Sequence, residues 1–135
     1  MAPSVFVSCE DARQSAPLVA ALEARGVRVV HSPLPGNDAR WADWYQDGCR
    51  DAMADSDCFI AVVTRGYGCS TWMAHEAEMA VKLLRATGRP KLCLVRMVPS
   101  PLTVGFKPLQ EVARDLGGAV DEVAASIVAI THGAG

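Results

Sequence analysis

The sequence predicts an α/β domain whose parallel sheet is covered by helices on both faces. Two observations carry this. Short apolar, β-branched runs alternate along the chain with longer helical patterns, and strands joined through helices close as right-handed crossovers in one parallel sheet. In addition, Cys58–Thr64 (CFIAVVT) and Lys91–Val98 (KLCLVRMV) are nearly continuous in apolar residues, as in strands buried on both sides.

Taken in order, Ser4–Cys9 (SVFVSC) is short, β-branched and followed by the acidic pair Glu10-Asp11, and reads as a first strand. Pro17 is tolerated only near a helix start, so Ser15 is expected as N-cap of a first helix. Leu18 and Leu22 lie on its buried face, and Gly26 ends it. Val27–His31 is a second strand. Ser32–Arg40 (SPLPGNDAR) is dense in proline, glycine and Asx residues and reads as a loop. Trp41–Ala54 is a second helix and Cys58–Thr64 the third strand. After the glycine-containing loop Arg65–Thr71, Ser70 or Thr71 caps a third helix running to Thr87, stopped by Gly88 and Pro90. Lys91–Val98 is the fourth strand. Pro99–Pro108 reads as loop, Gln110–Leu116 as either a short edge strand or a helical turn, and Ala119–Ile130 as a last helix. The 135 residues suffice for one domain with its own core, spanning 1–135.

Composition narrows the function. Fifteen acidic residues against 13 Lys and Arg give a net charge of −2, and the arginines are scattered, unlike the basic face of a nucleic-acid binder. No apolar run approaches the ~20 residues that cross a bilayer, and the first residues lack the pattern of a signal peptide. Five cysteines without a C-x-x-C pair fit free thiols in a reducing compartment, so a cytoplasmic location is expected, with neither nucleic acid nor membrane as partner. Cys58 and Cys93, inside apolar runs, read as small core residues.

Ligands of such sheets bind beyond the carboxyl ends of the strands, here the loops starting at Ser8–Asp11, Ser32–Arg40, Arg65–Thr71 and Pro99. Several chemistries are missing from them. There is no G-x-G-x-x-G, no G-x-x-x-x-G-K-[ST] and no G-x-S-x-G. A phosphoryl receiver needs an aspartate after the third strand, where this chain has Val63-Thr64-Arg65. His31, His75 and His132 lack metal-ligand spacing, so no metal site is expected. Cys69 lies in a loop near a helix start, where a thiol is activated, yet no base partner is evident and a plain loop cysteine is the simpler reading.

Three blocks remain, and together they resemble the Toll/interleukin-1 receptor (TIR) family, in its bacterial stand-alone form. VFVSCEDARQSAPLVAALEARGVRVV is similar to the family's first strand, Ser-x-x-Asp turn, helix and second strand. PLPGNDARWADWYQDGCRDAMADSDCFIAVVT is similar to the following loop, aromatic helix start and third strand. YGCSTWMAHEAEMA resembles the S-x-W-x-x-x-E signature. The resemblance covers about Val5–Leu84, and Ser8-Cys9 stands where many relatives have Ser-Tyr.

The resemblance implies a flavodoxin-like three-layer sandwich with a central five-stranded parallel sheet. It also implies one of two activities. Some members cleave NAD+, their substrate and not a bound cofactor, at the nicotinamide–ribose bond to give linear or cyclised ADP-ribose. Others are scaffolds that only assemble with like domains. A related nucleotide-ribosyl enzyme or sensor on the same fold is a third expectation. The enzymatic reading implies self-association through TIR–TIR contacts, a trigger that is a separate sensor or effector protein, and a place in innate immunity or antiphage defence.

Glu76 is then the expected catalytic carboxylate. Trp72, four residues earlier, shares its helix face. Nicotinamide leaves as a neutral molecule from a pyridinium and needs no general acid, so one carboxylate stabilising the developing oxocarbenium charge and one indole stacked on the leaving group are sufficient. The plainer alternatives are a helix-dipole glutamate and a core tryptophan. Glu78, two residues on, reads as solvated. The resemblance further implies nucleotide contacts from Ser8 and Asp11, where a turn and a cap are the alternative. It also implies pocket residues Asp38, Arg40 and Trp41, though Trp41 with Trp44 equally fits a core-facing pair. Tyr67 borders the site or simply serves the turn.

Overall fold

In the computed structural model, residues 3–9, 12–30, 48–64, 71–97 and 107–132 are described. Strands β1 (Ser4–Ser8), β2 (Arg28–Val30), β3 (Cys58–Val63), β4 (Lys91–Arg96) and β5 (Arg114–Leu116) form one sheet in the order β2-β1-β3-β4-β5. Every pairing is parallel. The order explains the burial. Every residue of β1 and β3 is buried, whereas the edge strands β2 and β5 are half-exposed. This is the flavodoxin-like sheet order.

Between the strands lie α1 (Ala12–Ala24), α2 (Cys49–Ala54), α3 (Thr71–Thr87), α4 (Lys107–Val112) and α5 (Val120–Thr131). Because side chains alternate across a strand, the sheet divides the core into two clusters. Val5, Val7, Ile60, Val62, Cys93 and Val95 pack against Leu18 and Leu22 of α1 and Val123 and Ile127 of α5. Phe6, Phe59, Ala61, Val63 and Leu94 face the other way, against Cys49 and Met53 of α2, Met73, Ala77 and Ala80 of α3, and Leu109 of α4. The rings of Phe6 and Phe59 stack with centroids 5.8 Å apart. Cys58 and Cys93 are fully buried free thiols, as their apolar context predicts.

Local chemistry accounts for the helix ends. Gly26 (φ 80°) closes α1 by donating its N–H to the Glu23 carbonyl while Val27 donates to that of Leu22. This pair of bonds demands the left-handed conformation that glycine adopts without a Cβ penalty. Gly88 (φ 81°) ends α3 in the same left-handed conformation, with its N–H donating to the Leu84 carbonyl four residues earlier.

One sequence expectation changes, and two others gain detail. Helix α1 begins at Ala12, so Ser15 lies inside it, buried, and is not its N-cap. Pro17 therefore lies within the helix, in its second turn, where it withholds one N–H from the helical ladder. Of the second helix, Cys49–Ala54 is seen, while residues 41–47 and the preceding loop lie outside the described residues. Gln110–Leu116 resolves into both alternatives, the end of α4 and then the strand β5. Its sequence Arg-Asp-Leu has little strand character, yet it pairs with the free edge of β4, where Arg96 Nε holds Asp115 Oδ2 at 2.8 Å.

Candidate functional site

In this sheet order the chain leaves β1 toward β2 on one side and reaches β3 on the other, so the crevice beyond the carboxyl ends of β1 and β3 is the topological switch point. Ser8 is the last residue of β1 and pairs with Ala61 of β3 at that crevice. It shares the strand face of Phe6, which is the face covered by α2 and α3.

Helix α3 crosses that face with Met73, Ala77 and Ala80 turned to the sheet, and Glu76 lies on the same stripe. The carboxylate is 1 % exposed, with the core residues, instead of open at a pocket mouth. Ser8 Oγ donates to Glu76 Oε1 at 2.9 Å and also approaches Met73 Sδ at 3.3 Å. From α2, the Cys49 thiol donates to the other oxygen, Oε2, at 3.8 Å. One carboxylate thus joins β1, α2 and α3 at the switch point. A buried charge without such donors would cost several kcal/mol, which is why polar partners from separate elements converge on it.

Cys49 is itself 1 % exposed. Burial, then the negative charge of Glu76 and the hydrogen bond to it, push its thiol up to about 12. It therefore stays protonated across the physiological range and acts as a donor, not as a nucleophile. The sequence reading assigned Cys49 no place in the site. Its signal was the spacing to Met53: four residues apart on a short helix, both belong to one buried face.

Glu78 lies round the helix, side chain 59 % exposed, paired with Lys82 at 2.9 Å, and this lysine holds its carboxyl below the usual range. The expected exposure of Glu78 is therefore present. Trp72 belongs to α3 by its backbone. Asp11, Asp38, Arg40, Trp41 and Tyr67 lie outside the described residues. Among the described residues no group of three or more His, Cys, Asp or Glu is placed to hold a metal ion. No helix among them is long and apolar enough to cross a membrane.

A cleft of about 610 Å³ opens at the opposite end of the strands, lined by Ser4, Arg28, Asp57, Arg89 and His132 among others. Its size does not make it the reactive centre. Arg89 there is spent on Asp57, at 3.1 Å, and on the Ser56 carbonyl, ties that hold the β3 entrance in place.

The fold and this crevice define a flavodoxin-like α/β domain with a buried carboxylate at its switch point. The TIR domain family model matches residues 5–125, and the chain belongs to that family. Solved structures agree on the fold. The chain is similar to the TIR domains of the activated Roq1 resistosome that recognises the pathogen effector XopQ (18 % identity, 94 % of this chain and 98 % of that one, TM-score 0.64). It is also similar to the CMP N-glycosidase BcmB of Clostridium botulinum (18 % identity, 93 % and 98 % covered, TM-score 0.61). A response regulator from Thermotoga maritima shares the fold at 12 % identity over 98 % and 99 % of the two chains, with a TM-score of 0.58. No curated protein matches the chain. The likeness to a response regulator is one of architecture, since Thr64 and not an aspartate follows β3 here.

Proposed function

We propose that this chain is an NAD+ glycohydrolase or cyclase of TIR type, with Glu76 as its catalytic carboxylate and self-assembly as its activating step. The single observation that carries the proposal is the placement of Glu76 beside the carboxyl end of β1, at the crevice where this sheet order binds ligands. Family membership supports the substrate class. The likeness to a CMP N-glycosidase supports the bond type, since that protein's named activity is the cleavage of a nucleotide's N-glycosidic bond.

In this reading the bond between the ribose C1′ and the pyridinium nitrogen breaks with its electron pair going to nitrogen, so nicotinamide leaves neutral. The positive charge left on the ribose is stabilised by the Glu76 carboxylate. Water then adds at C1′ and loses a proton, giving ADP-ribose, or an adenine nitrogen adds and closes a ring. Trp72 stacks on the nicotinamide. Asp11, Asp38, Arg40, Trp41 and Tyr67 supply nucleotide contacts, and Ser8 acts through the carboxylate it holds. Because Glu76 is 1 % exposed, the active form must uncover it. Binding of NAD+ or of a second copy supplies the free energy for that change.

The same burial favours a second reading, a TIR interaction module in which the Ser8–Glu76 bond is only an internal tie. Incubating concentrated protein with NAD+ and identifying the products by mass spectrometry, with Glu76→Ala alongside, separates the two. Nicotinamide release by the parent that is lost in Glu76→Ala is the expected result. Release that survives the substitution removes Glu76 from the reaction. No release even under enforced clustering leaves the interaction module.

A further inference from the structure

We propose that Cys49 is a positioning residue for Glu76: its thiol anchors Oε2 from α2 while the Ser8 hydroxyl anchors Oε1 from β1. The inference rests on the enzymatic reading for its kinetic consequences, but the geometry behind it does not. The two donors come from different elements and take different oxygens, so together they fix both the position and the plane of the carboxylate.

The donors are unequal. The hydroxyl at 2.9 Å is a full hydrogen bond, whereas a thiol is a weak donor and sits at 3.8 Å. Oε1 is thus committed to holding the side chain. The thiol orients Oε2 more gently, and in the enzymatic reading this is the oxygen that meets a ribose hydroxyl or the developing cation. A thiolate at Cys49 would repel the carboxylate and defeat this. Burial and the charge of Glu76 itself prevent it by keeping the thiol protonated. Among the described residues, Ser8 from β1 and Cys49 from α2 face the carboxylate, and Met73 of α3 lies against the Ser8 hydroxyl.

The test compares Cys49→Val, which stays apolar but lacks a donor, with Cys49→Ser, which keeps a donor. In Cys49→Val the kcat for nicotinamide release falls roughly fivefold, the worth of one modest buried hydrogen bond, with KM for NAD+ unchanged. Losing a donor to the charged form also moves the acid limb of the kcat profile to higher pH. Cys49→Ser returns that limb toward the parent. A folded Cys49→Val with the parent's kcat and acid limb overturns the proposal, as does a folded Cys49→Ser that restores neither. Should Cys49→Val not fold, Cys49→Ala takes its place with the same readings. If the parent itself releases no nicotinamide, the enzymatic reading falls while the positioning role is still measured. The isotope-labelled carboxyl resonance of Glu76 then titrates at higher pH in the donor-free variant than in the parent, and coincident titrations overturn it.

Discussion

Ser8 and Glu76 are 68 residues apart in the chain, yet the hydroxyl of one donates to the carboxylate of the other at 2.9 Å. The bond ties the end of β1 to the covering helix α3 at the one crevice where strand connections diverge. It brings together two residues that the sequence placed separately, one at a strand end and one in a signature on a helix.

Replacing Glu76 by Gln keeps the shape of the side chain and removes its charge. If the carboxylate stabilises the oxocarbenium ion, NAD+ cleavage falls by about 10²–10³-fold, in line with the loss of a preorganised electrostatic contact. Thermal stability is kept or slightly raised, because a neutral amide is cheaper to bury than a carboxylate. Product assays and melting curves on the same preparation check both halves.

Ser8→Ala leaves Glu76 Oε1 without its hydroxyl donor in a buried setting. The expected loss is about 1–3 kcal/mol in urea unfolding. The double variant Ser8→Ala with Glu76→Gln should lose less than the sum of the single changes, since the two residues share one interaction.

Cys49 gives a pH signature. Its folded thiol titrates near 12 against 9.0 for a free one, so below pH 9 both folded and unfolded states hold the proton. Above that the unfolded chain releases it first, and stability falls as pH rises toward 12, by up to about 1.4 kcal/mol per pH unit for this group. Other groups titrate there too, so the measurement is the difference in unfolding free energy between the parent and Cys49→Ala at a series of alkaline pH values. That difference narrows with rising pH.

Glu78→Ala is the matched control two residues from Glu76. Its partner Lys82 is an exposed neighbour one turn away, and such a pair is worth within about 0.5 kcal/mol. Activity and unfolding midpoint should both match the parent, whereas loss of activity in this variant would move the reactive carboxylate from Glu76 to Glu78.

Phe59→Ala tests the core beneath the site. Phe59 is fully buried and stacks on Phe6, two residues before Ser8 on the same strand face. The cavity should cost about 3–5 kcal/mol in denaturant unfolding.

Much of the frame was legible in the chain itself. Continuous apolar runs marked β3 and β4 because a strand covered on both faces has no polar side. Gly26 and Gly88 marked helix ends because their backbone conformation excludes most other residues. That Glu76 and Glu78 lie on different sides of α3 followed from helical spacing, whereas which side is buried did not. Beta strand β5 was ambiguous because three residues carry no periodicity, and the free edge of β4 supplies what their sequence does not. The start of α1 differs from the sequence expectation because Pro17 disfavours an interior position without forbidding it, and here it lies inside the helix that begins at Ala12.

By itself, then, the sequence determined the alternation of elements, the buried central strands and the helix that carries Glu76. Those properties reside in residues that are neighbours along the chain. Tertiary structure alone decided that Ser8 and Cys49 grip opposite oxygens of the same carboxylate, and that this carboxylate is buried instead of open. Such contacts depend on sheet order and on which face each crossover covers, and no local pattern records either.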